Sequence, residues 1–202
     1  MNPSPAIEAE HSSASSWQLM WARHTSLTFA LVSEFFHERG NAAVTDAIID
    51  ALLLNQDDIG NAVGGVLGKE LSTRLRDYVT GVGAVLRAMT FNDSAALESA
   101  ELAWDRTGID ISQTIAKMAQ RGLVDDLRRQ NSVFVLLIRP HLNKTAEYAA
   151  AYCAGEYAQA IALYAHALEH AVSVIGGAFE RIGAPISDKY RQMLHDLRAN
   201  RP

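Results

Sequence analysis

Apolar residues recur along the chain at the three- and four-residue spacing that places them on one face of an α-helix. No segment alternates apolar and polar residues for long enough to predict a β-strand. We therefore predict an all-α fold, a single bundle of about six long helices in three antiparallel hairpins, followed by a short C-terminal helix. The bundle domain is predicted to cover residues 15–202. Residues 1–14, rich in Ser, Pro and Ala, are predicted to form a disordered tail.

Capping residues, glycines and prolines set the predicted helix boundaries. Gly60, Gly64 and Gly65 leave two possibilities open, because a glycine costs about 1 kcal/mol in a helix interior. Either a close backbone approach compensates for that cost, or the helix breaks near Gly64. The first four predicted helices run from about Ser15 to Glu38, with Gly40 as the stop, from Thr45 or Asp46 to Leu67, from Lys69 to Met89, and from Asn92 or Asp93 to Arg121. The fifth runs from Asp125 to Cys153 with a kink at Pro140, and the sixth lies between Gly155 and Gly183, where Gly183-Ala184-Pro185 ends it. The short C-terminal helix runs from Ser187 to Arg198.

Each helix has one apolar stripe that is predicted to face the core. Because the connections are short, successive helices are expected to pack antiparallel. The stripes contain Trp17, Met20, Trp21, Leu27, Leu31 and Phe35 in the first helix, Ile48, Leu52, Ile59, Val63 and Val66 in the second, Leu71, Leu75, Val82, Val85 and Leu86 in the third, Leu97, Trp104, Ile111, Ile115 and Met118 in the fourth, Phe134, Leu137, Ile138, Tyr148 and Tyr152 in the fifth, and Ile161, Tyr164, Leu168, Val172, Ile175 and Phe179 in the sixth.

Polar aromatic residues interrupt these stripes at the inward centre of the first helix of each hairpin, at His24, Tyr78 and His141. Thr28 and Thr145 follow the two histidines by one helical turn. Histidine is uncommon on the inward face of a helix unless its ring nitrogens have hydrogen-bond partners. We therefore predict a polar pocket inside the helical core.

Two aspartates lie at the edge of the apolar stripe on the second helix of the first two hairpins. Asp58 follows His24 by 34 residues, and Asp110 follows Tyr78 by 32 residues. These similar separations indicate that the hairpins are weak repeats. Asn55 lies on the same side of the helix as Asp58 and is expected to form hydrogen bonds across helices.

The composition is that of a soluble globular protein, with 49% hydrophobic residues, 20% charged residues and a net charge of −5. There is no basic stripe, so we expect no nucleic-acid partner. The single cysteine, Cys153, excludes an internal disulfide and a cysteine-based zinc cluster. No uncharged apolar run reaches the roughly 18 residues of a membrane span, and the N-terminus lacks a signal-peptide pattern. We therefore expect no membrane span and a cytoplasmic location.

Four motifs of this chain resemble those of an uncharacterised family of small helical-bundle proteins from spore-forming bacteria. The resemblance covers most of residues 17–180, and some members of that family have a histidine at the position of Tyr78. The motifs are Trp21-x-x-His24, Asn55-Gln56-Asp57-Asp58-Ile59-Gly60-Asn61-Ala62, His141-Leu-x-x-Thr145-x-Glu147, and Tyr164 followed six residues later by His170.

This resemblance implies a helical fold and no established activity. Members of the family are sometimes labelled glycosyltransferases. The present chain contradicts that label, because it lacks an alternating strand–helix pattern and a glycine-rich phosphate loop that follows a strand.

Helical bundles build metal sites from inward-facing histidines and carboxylates on facing helices. Imidazole and carboxylate ligands suit transition metals such as Fe, Mn and Zn. The candidate metal ligands are His24, His141, Asp58, Asp110 and Glu147. The candidate cofactor-binding residues around them are Tyr78, Thr28, Thr145 and Asn55. The preferred function is therefore transition-metal binding for redox chemistry, storage or sensing.

Other functions stay open at this point. The histidines are also compatible with core residues that are hydrogen-bonded to threonine, aspartate or buried water, in a non-catalytic interaction protein. The Ala/Gly side of the sixth helix would then form a homodimer interface. A third possibility is a pocket that binds an unknown small ligand without metal. Whether the chain is an enzyme is not determined: His166-x-x-Glu169-His170 matches a zinc-peptidase pattern, but its histidines are predicted to face away from the core stripe.

Overall fold

The computed structural model of the chain describes residues 5–37, 41–121 and 130–182. These residues contain no strand and form the all-α bundle of long helical segments that the apolar pattern predicts. The helices are α1 (Pro5–Phe35), α2 (Ala42–Val63), α3 (Gly65–Thr90), α4 (Ser94–Arg121), α5 (Gln130–Val133), α6 (Arg139–Cys153), α7 (Tyr157–Glu169) and α8 (Gly177–Arg181). A first π-turn (Phe134–Ile138) joins α5 to α6, and a second π-turn (His170–Gly176) joins α7 to α8.

The helices pack as the predicted hairpins, α1 with α2, α3 with α4, and α6 with α7. α2 also packs on α3, and α1 lies against the second π-turn, α6 and α8. α1 thus contacts its hairpin partner α2 on one side and the last hairpin on the other. Its inward face therefore lies at the centre of the bundle.

The first helix begins earlier than the pattern predicts. α1 starts at Pro5 instead of Ser15, so residues 5–14 of the predicted tail are helical, and residues 1–4 lie outside the described ranges. Proline is favoured in the first turn of a helix, where its missing N–H would have no partner. No further glycine or proline follows before Gly40, so nothing in the sequence interrupts this helix.

The boundary between α2 and α3 is a glycine break. Asn41 caps α2 by accepting the backbone N–H of Ala43 at 3.0 Å, a few residues before the predicted start. Gly64 and Gly65 have φ angles of 74° and 60°, which glycine tolerates and which end the helix. The prediction that Val66 continues the core stripe of the second helix is therefore wrong, and Val66 is 80% exposed.

Pro140 lies within a continuous helical segment, as predicted. The first π-turn ends at Ile138, and α6 resumes at Arg139 with Pro140 in its first turn. Proline lacks the N–H that an interior helical position donates, and a wider turn before it is one of the ways in which a helix accommodates this loss.

The buried positions follow most of the predicted stripes. All the predicted core residues of α3 are buried, from Leu71 to Leu86. On α1, the side chains of Trp17, Met20 and Trp21 are at most 1% exposed. These large side chains belong to the hydrophobic core, and Trp21 packs against the rings of His24 and His141.

The sixth helical segment buries only part of its predicted stripe: Ile175 and Phe179 are fully buried, as expected, and Tyr164, Leu168 and Val172 are partly buried. Ile161, which was expected in the core, is 59% exposed, whereas Ala167 and Ala171 are fully buried. Small residues let this segment approach α1 closely, since a Cβ added to Gly176 would lie 3.1 Å from the Cα of Gln18. Ala160, Ala167 and Ala171 therefore face the interior, whereas Ala158, Ala162 and Ala165 are exposed. Homodimer formation itself stays a prediction.

Several predicted features lie outside the described ranges. They are the stop at Gly40, the start at Asp125, the break at Gly183-Ala184-Pro185 and the helix from Ser187 to Arg198. Among the described helices, none combines the length and the apolar composition needed to cross a membrane. The cytoplasmic location stays a prediction.

Candidate functional site

Helices α1, α3 and α6 bring three polar aromatic side chains together at the centre of the bundle. His24, Tyr78 and His141 are 1%, 2% and 3% exposed. The ring centroids of His24 and His141 are 5.5 Å apart. The ring of Tyr78 lies 5.3 Å from that of His24 and 6.0 Å from that of His141. The structure therefore places both imidazoles in one enclosed space.

The side-chain amide of Gln56 determines the protonation of His24. The amide nitrogen donates to the carbonyl of Leu52 at 3.1 Å and lies 2.9 Å from Nδ1 of His24. Because a carbonyl only accepts, the second amide hydrogen is directed at Nδ1, which must accept it. Burial lowers the pKa of His24 from 6.5 to about 4. The neutral ring therefore carries its proton on Nε2 and acts there as a donor.

His141 is the residue whose polar atoms are least satisfied. Both of its ring nitrogens are buried, and neither has a hydrogen-bond partner among the described residues. Burial lowers its pKa well below the ordinary value, and the neighbouring His24 and His170 lower it further. A neutral imidazole has one donor and one acceptor nitrogen, so His141 offers one of each.

The two threonines do not contact the imidazole nitrogens. Thr28 and Thr145 each donate their hydroxyl hydrogen to the backbone carbonyl one turn earlier, of His24 and His141, at 2.9 Å. The oxygen of Thr145 also lies 3.4 Å from the hydroxyl of Tyr78, which can donate to it. Thr145 therefore supports Tyr78, whereas the hydroxyl of Thr28 is bonded to the backbone of its own helix.

Asn55 lies in the core but is bonded to the backbone of α1. Its amide nitrogen donates to the carbonyl of Met20 at 3.3 Å, which matches the expected hydrogen bond across helices. Its side-chain oxygen is buried and has no partner among the described residues. Asn55 thus ties α2 to α1 one residue away from Gln56.

The predicted carboxylate ligands do not join the imidazoles. Asp58 is paired with Arg23 at 3.4 Å, and Asp110 is paired with Arg74 at 3.5 Å, both on the surface. Glu147 is exposed. The expectation that these side chains reach inward is wrong, because arginines on the adjacent surface hold both aspartates in ion pairs. In the described part of the chain, no three His, Cys, Asp or Glu side chains are arranged to hold a metal ion.

His170 belongs to the site although the sequence placed it on the opposite face. Its ring is half-buried and nearly parallel to that of His141, with centroids 6.5 Å apart and an interplanar angle of 18°. Its Nε2 donates to the carbonyl of Leu137 at 3.0 Å and thereby joins the two π-turns. His166 and Glu169 are exposed, so His166 and His170 do not converge as a peptidase site requires.

A sequence signal for His170 existed in the small residues of the same segment. Ala167 and Ala171, on either side of His170, are four residues apart and therefore share one helix face, which is buried. A prediction based on the spacing of large apolar residues does not detect this face. The π-turn that begins at His170 also shifts the face that the following residues present. Sequence spacing did not identify Gln56, because no sequence pattern distinguishes a buried glutamine from an exposed one. Its position next to Asn55, on the same helix, was the only signal.

Further buried polar atoms without partners among the described residues surround these rings. They are Nε1 of Trp21, Nε1 of Trp104 and Oε1 of Gln56. The ring of Trp21 lies 5.5 Å from that of His24 and 6.4 Å from that of His141, and Trp104 lies 5.2 Å from Tyr78. Native cores leave few such groups unpaired. Their presence next to His24, Tyr78 and His141 marks this part of the core as the candidate site.

Comparison with known proteins adds no family to this description. No protein-family model, curated protein or solved structure matches the chain. The resemblance to the family of small bacterial helical proteins therefore stays a prediction. The geometry around His24 and His141 is the evidence on which a function can be proposed.

Proposed function

We propose that this chain is a small-ligand-binding helical bundle that holds its guest at the ring nitrogens of His141. The observation that carries the proposal is that both nitrogens are buried without a partner among the described residues. A buried polar group without a hydrogen bond costs roughly 1 to 3 kcal/mol. A guest that hydrogen-bonds to His141 recovers that free energy, and it competes with any buried water that would do the same.

The surroundings of His141 suit a small, partly aromatic or planar guest. Trp21, His24 and Tyr78 surround the ring with aromatic surfaces, and each is at most 2% exposed. Ligand pockets are commonly lined by apolar and aromatic side chains with a few polar groups that orient the guest. Here the orienting groups are imidazole nitrogens, an indole N–H and an amide oxygen.

A transition metal is the second candidate guest, and one observation favours it. Two imidazoles that share a metal at about 2.1 Å from each nitrogen have centroids roughly 5 to 6.5 Å apart. The centroid distances of 5.5 Å between His24 and His141 and 6.5 Å between His141 and His170 lie in this range. The bond from His170 to a backbone carbonyl is also common in metal-binding histidines.

The hydrogen bond from Gln56 weighs against the metal. It occupies the lone pair on Nδ1 of His24 and leaves the proton on Nε2, so neither nitrogen is free to coordinate. Metal binding through His24 would require the Gln56 amide to turn away and the ring to lose its Nε2 proton. This is why we place a metal-free guest first.

Two measurements on the purified protein test the proposal. The first is metal analysis, and the second is titration with phenol and with imidazole, followed by NMR of the His141 ring and the Trp21 indole N–H. We expect less than one metal per chain and a saturable shift with at least one probe. The shift of the Trp21 indole N–H should be lost in His141→Leu and kept in His166→Leu, whose wild-type side chain is exposed.

Other results would redirect the assignment. Stoichiometric metal that is lost in both His24→Leu and His141→Leu would favour the second candidate. If neither metal nor probe binds, and the variants change only stability, the binding proposal fails and the non-catalytic interaction protein becomes the preferred function.

A further inference from the structure

We infer that the guest is an uncharged molecule that both donates and accepts hydrogen bonds, as a primary amide does. This inference rests on the proposed binding at His141 and adds the chemical class of the ligand. It follows from the absence of charge around the site and from the pattern of donors and acceptors that its residues present.

Among the described residues, no Asp, Glu, Lys or Arg is buried in the core with the central rings. The pKa of His24 is lowered by burial alone, and that of His141 by burial and by the neighbouring imidazoles. For Tyr78, burial raises the pKa and only the bond to Thr145 opposes the rise. Lys144 lowers the pKa of His170, but it contributes nothing to that of His141.

The basic side chains next to α1–α3 are committed to surface ion pairs. Arg23 pairs with Asp58, Arg74 with Asp110, and Arg76 with Asp57. The side chains in these pairs are between 30% and 42% exposed, so each charge is balanced at the surface. An ionic guest would therefore lie among buried neutral groups without a counter-charge, which is strongly unfavourable.

The imidazoles themselves do not supply that counter-charge near neutral pH. Because burial holds the pKa of His24 at about 4 and that of His141 well below its ordinary value, both rings stay neutral. An anion would have to bind with neutral donors only, and a cation with neutral acceptors only.

Both donors and acceptors are present at the site. His24 presents a donor at Nε2, because Nδ1 accepts from Gln56, and Trp21 presents an indole N–H without a partner among the described residues. The acceptors are Oε1 of Gln56 and one nitrogen of His141. A molecule with an adjacent carbonyl and N–H group satisfies both kinds of atom at once.

Probes of one shape and different charge test this inference. Acetamide, acetate and acetamidinium are nearly isosteric and are neutral, anionic and cationic near neutral pH. Benzamide, benzoate and benzamidinium form a second, larger set. Each probe is titrated into the full-length wild-type protein while the His141 ring and Trp21 indole N–H signals are followed by NMR. His141→Leu tests the location of the site, and His166→Leu is the matched surface control.

We expect the neutral member of at least one set to bind more than about tenfold more tightly than both charged members, because an uncompensated buried charge is strongly disfavoured. If a charged member binds at His141 as tightly as its amide, the inference is overturned while the binding proposal stands. If no probe of either set shifts the His141 signals while phenol or imidazole does, the inference fails and the binding proposal stands; if none of these probes shifts them, both fail. The wild-type signals locate the binding even if His141→Leu does not fold.

Discussion

Gly60 of α2 and Gly68 of α3 lie against each other at the turn between the two helices, and neither has room for a side chain. A Cβ added to Gly60 would lie 2.5 Å from the carbonyl oxygen of Gly68 and 2.6 Å from the Cβ of Ser72. A Cβ on Gly68 would overlap the carbonyl oxygen of Gly60. Asn55 and Gln56, about one turn earlier on the same helix, are fully buried.

The first prediction concerns that contact. Gly60→Ala should destabilise the protein by about 1 to 3 kcal/mol, because the obstacle is backbone that moves only if the two helices separate. Gly83→Ala is the matched control: Gly83 also lies within α3, but an added Cβ there meets nothing within 4 Å. The control should raise stability by about 0.5 to 1 kcal/mol through helix propensity. Urea unfolding measures both changes, and equal effects of the two substitutions would contradict this account.

The second prediction concerns His141 and stability without guest. His141→Leu should raise the free energy of unfolding by roughly 1 to 3 kcal/mol, because it replaces two buried nitrogens without described partners by apolar atoms of similar size. The comparison uses urea unfolding of dialysed wild-type and variant protein. His170→Leu serves as the contrast and should not stabilise, since it removes the bond to the Leu137 carbonyl. A clear loss of stability in His141→Leu would mean that its nitrogens are hydrogen-bonded in solution.

The third prediction is a loss of stability in acid. The pKa of His24 is about 4 in the folded chain and 6.5 in the unfolded chain, so the unfolded chain binds the proton more tightly. The contribution of this residue is complete above pH 6.5 and is lost as the pH falls towards 4, by about 3 kcal/mol in total. His141 acts in the same direction.

Urea unfolding across this pH range measures the effect. The slope of stability against pH should flatten in His24→Leu and stay unchanged in His166→Leu. The account would be refuted if wild-type stability were constant from pH 7 to 5, or if the surface variant flattened the slope as much as the buried one.

The fourth prediction separates the carboxylates from the site. Asp58→Asn and Asp110→Asn each remove one surface ion pair and should change stability by less than about 1 kcal/mol. Glu147→Gln changes an exposed residue and should have no measurable effect. None of the three should alter probe or metal binding at His141. A loss of binding in any of them would restore that carboxylate as a ligand.

Much of the fold could be predicted because it depends on local patterns. The period of apolar residues identifies the helices, and the stripe of α3 is buried from Leu71 to Leu86 as predicted. The site could be predicted only in part. His24, Tyr78 and His141 face inward, as the stripes predict. Asp58 and Asp110, at the edges of the stripes, face outward and pair with arginines. The spacing of residues along one helix could not predict these pairs, because the arginines lie on neighbouring helices.

The amino-acid sequence is sufficient to predict that the chain is helical, roughly where most helices begin and end, and that two histidines and a tyrosine face inward. Those features follow from residue spacing and capping along a single helix. The packing of the helices was needed to show that Gln56 holds His24 in one tautomer, that His170 stacks beside His141, and that alanines form part of the buried face of the sixth helical segment. These facts depend on which faces of distant helices meet, and that is set by the packing of whole side chains at close range.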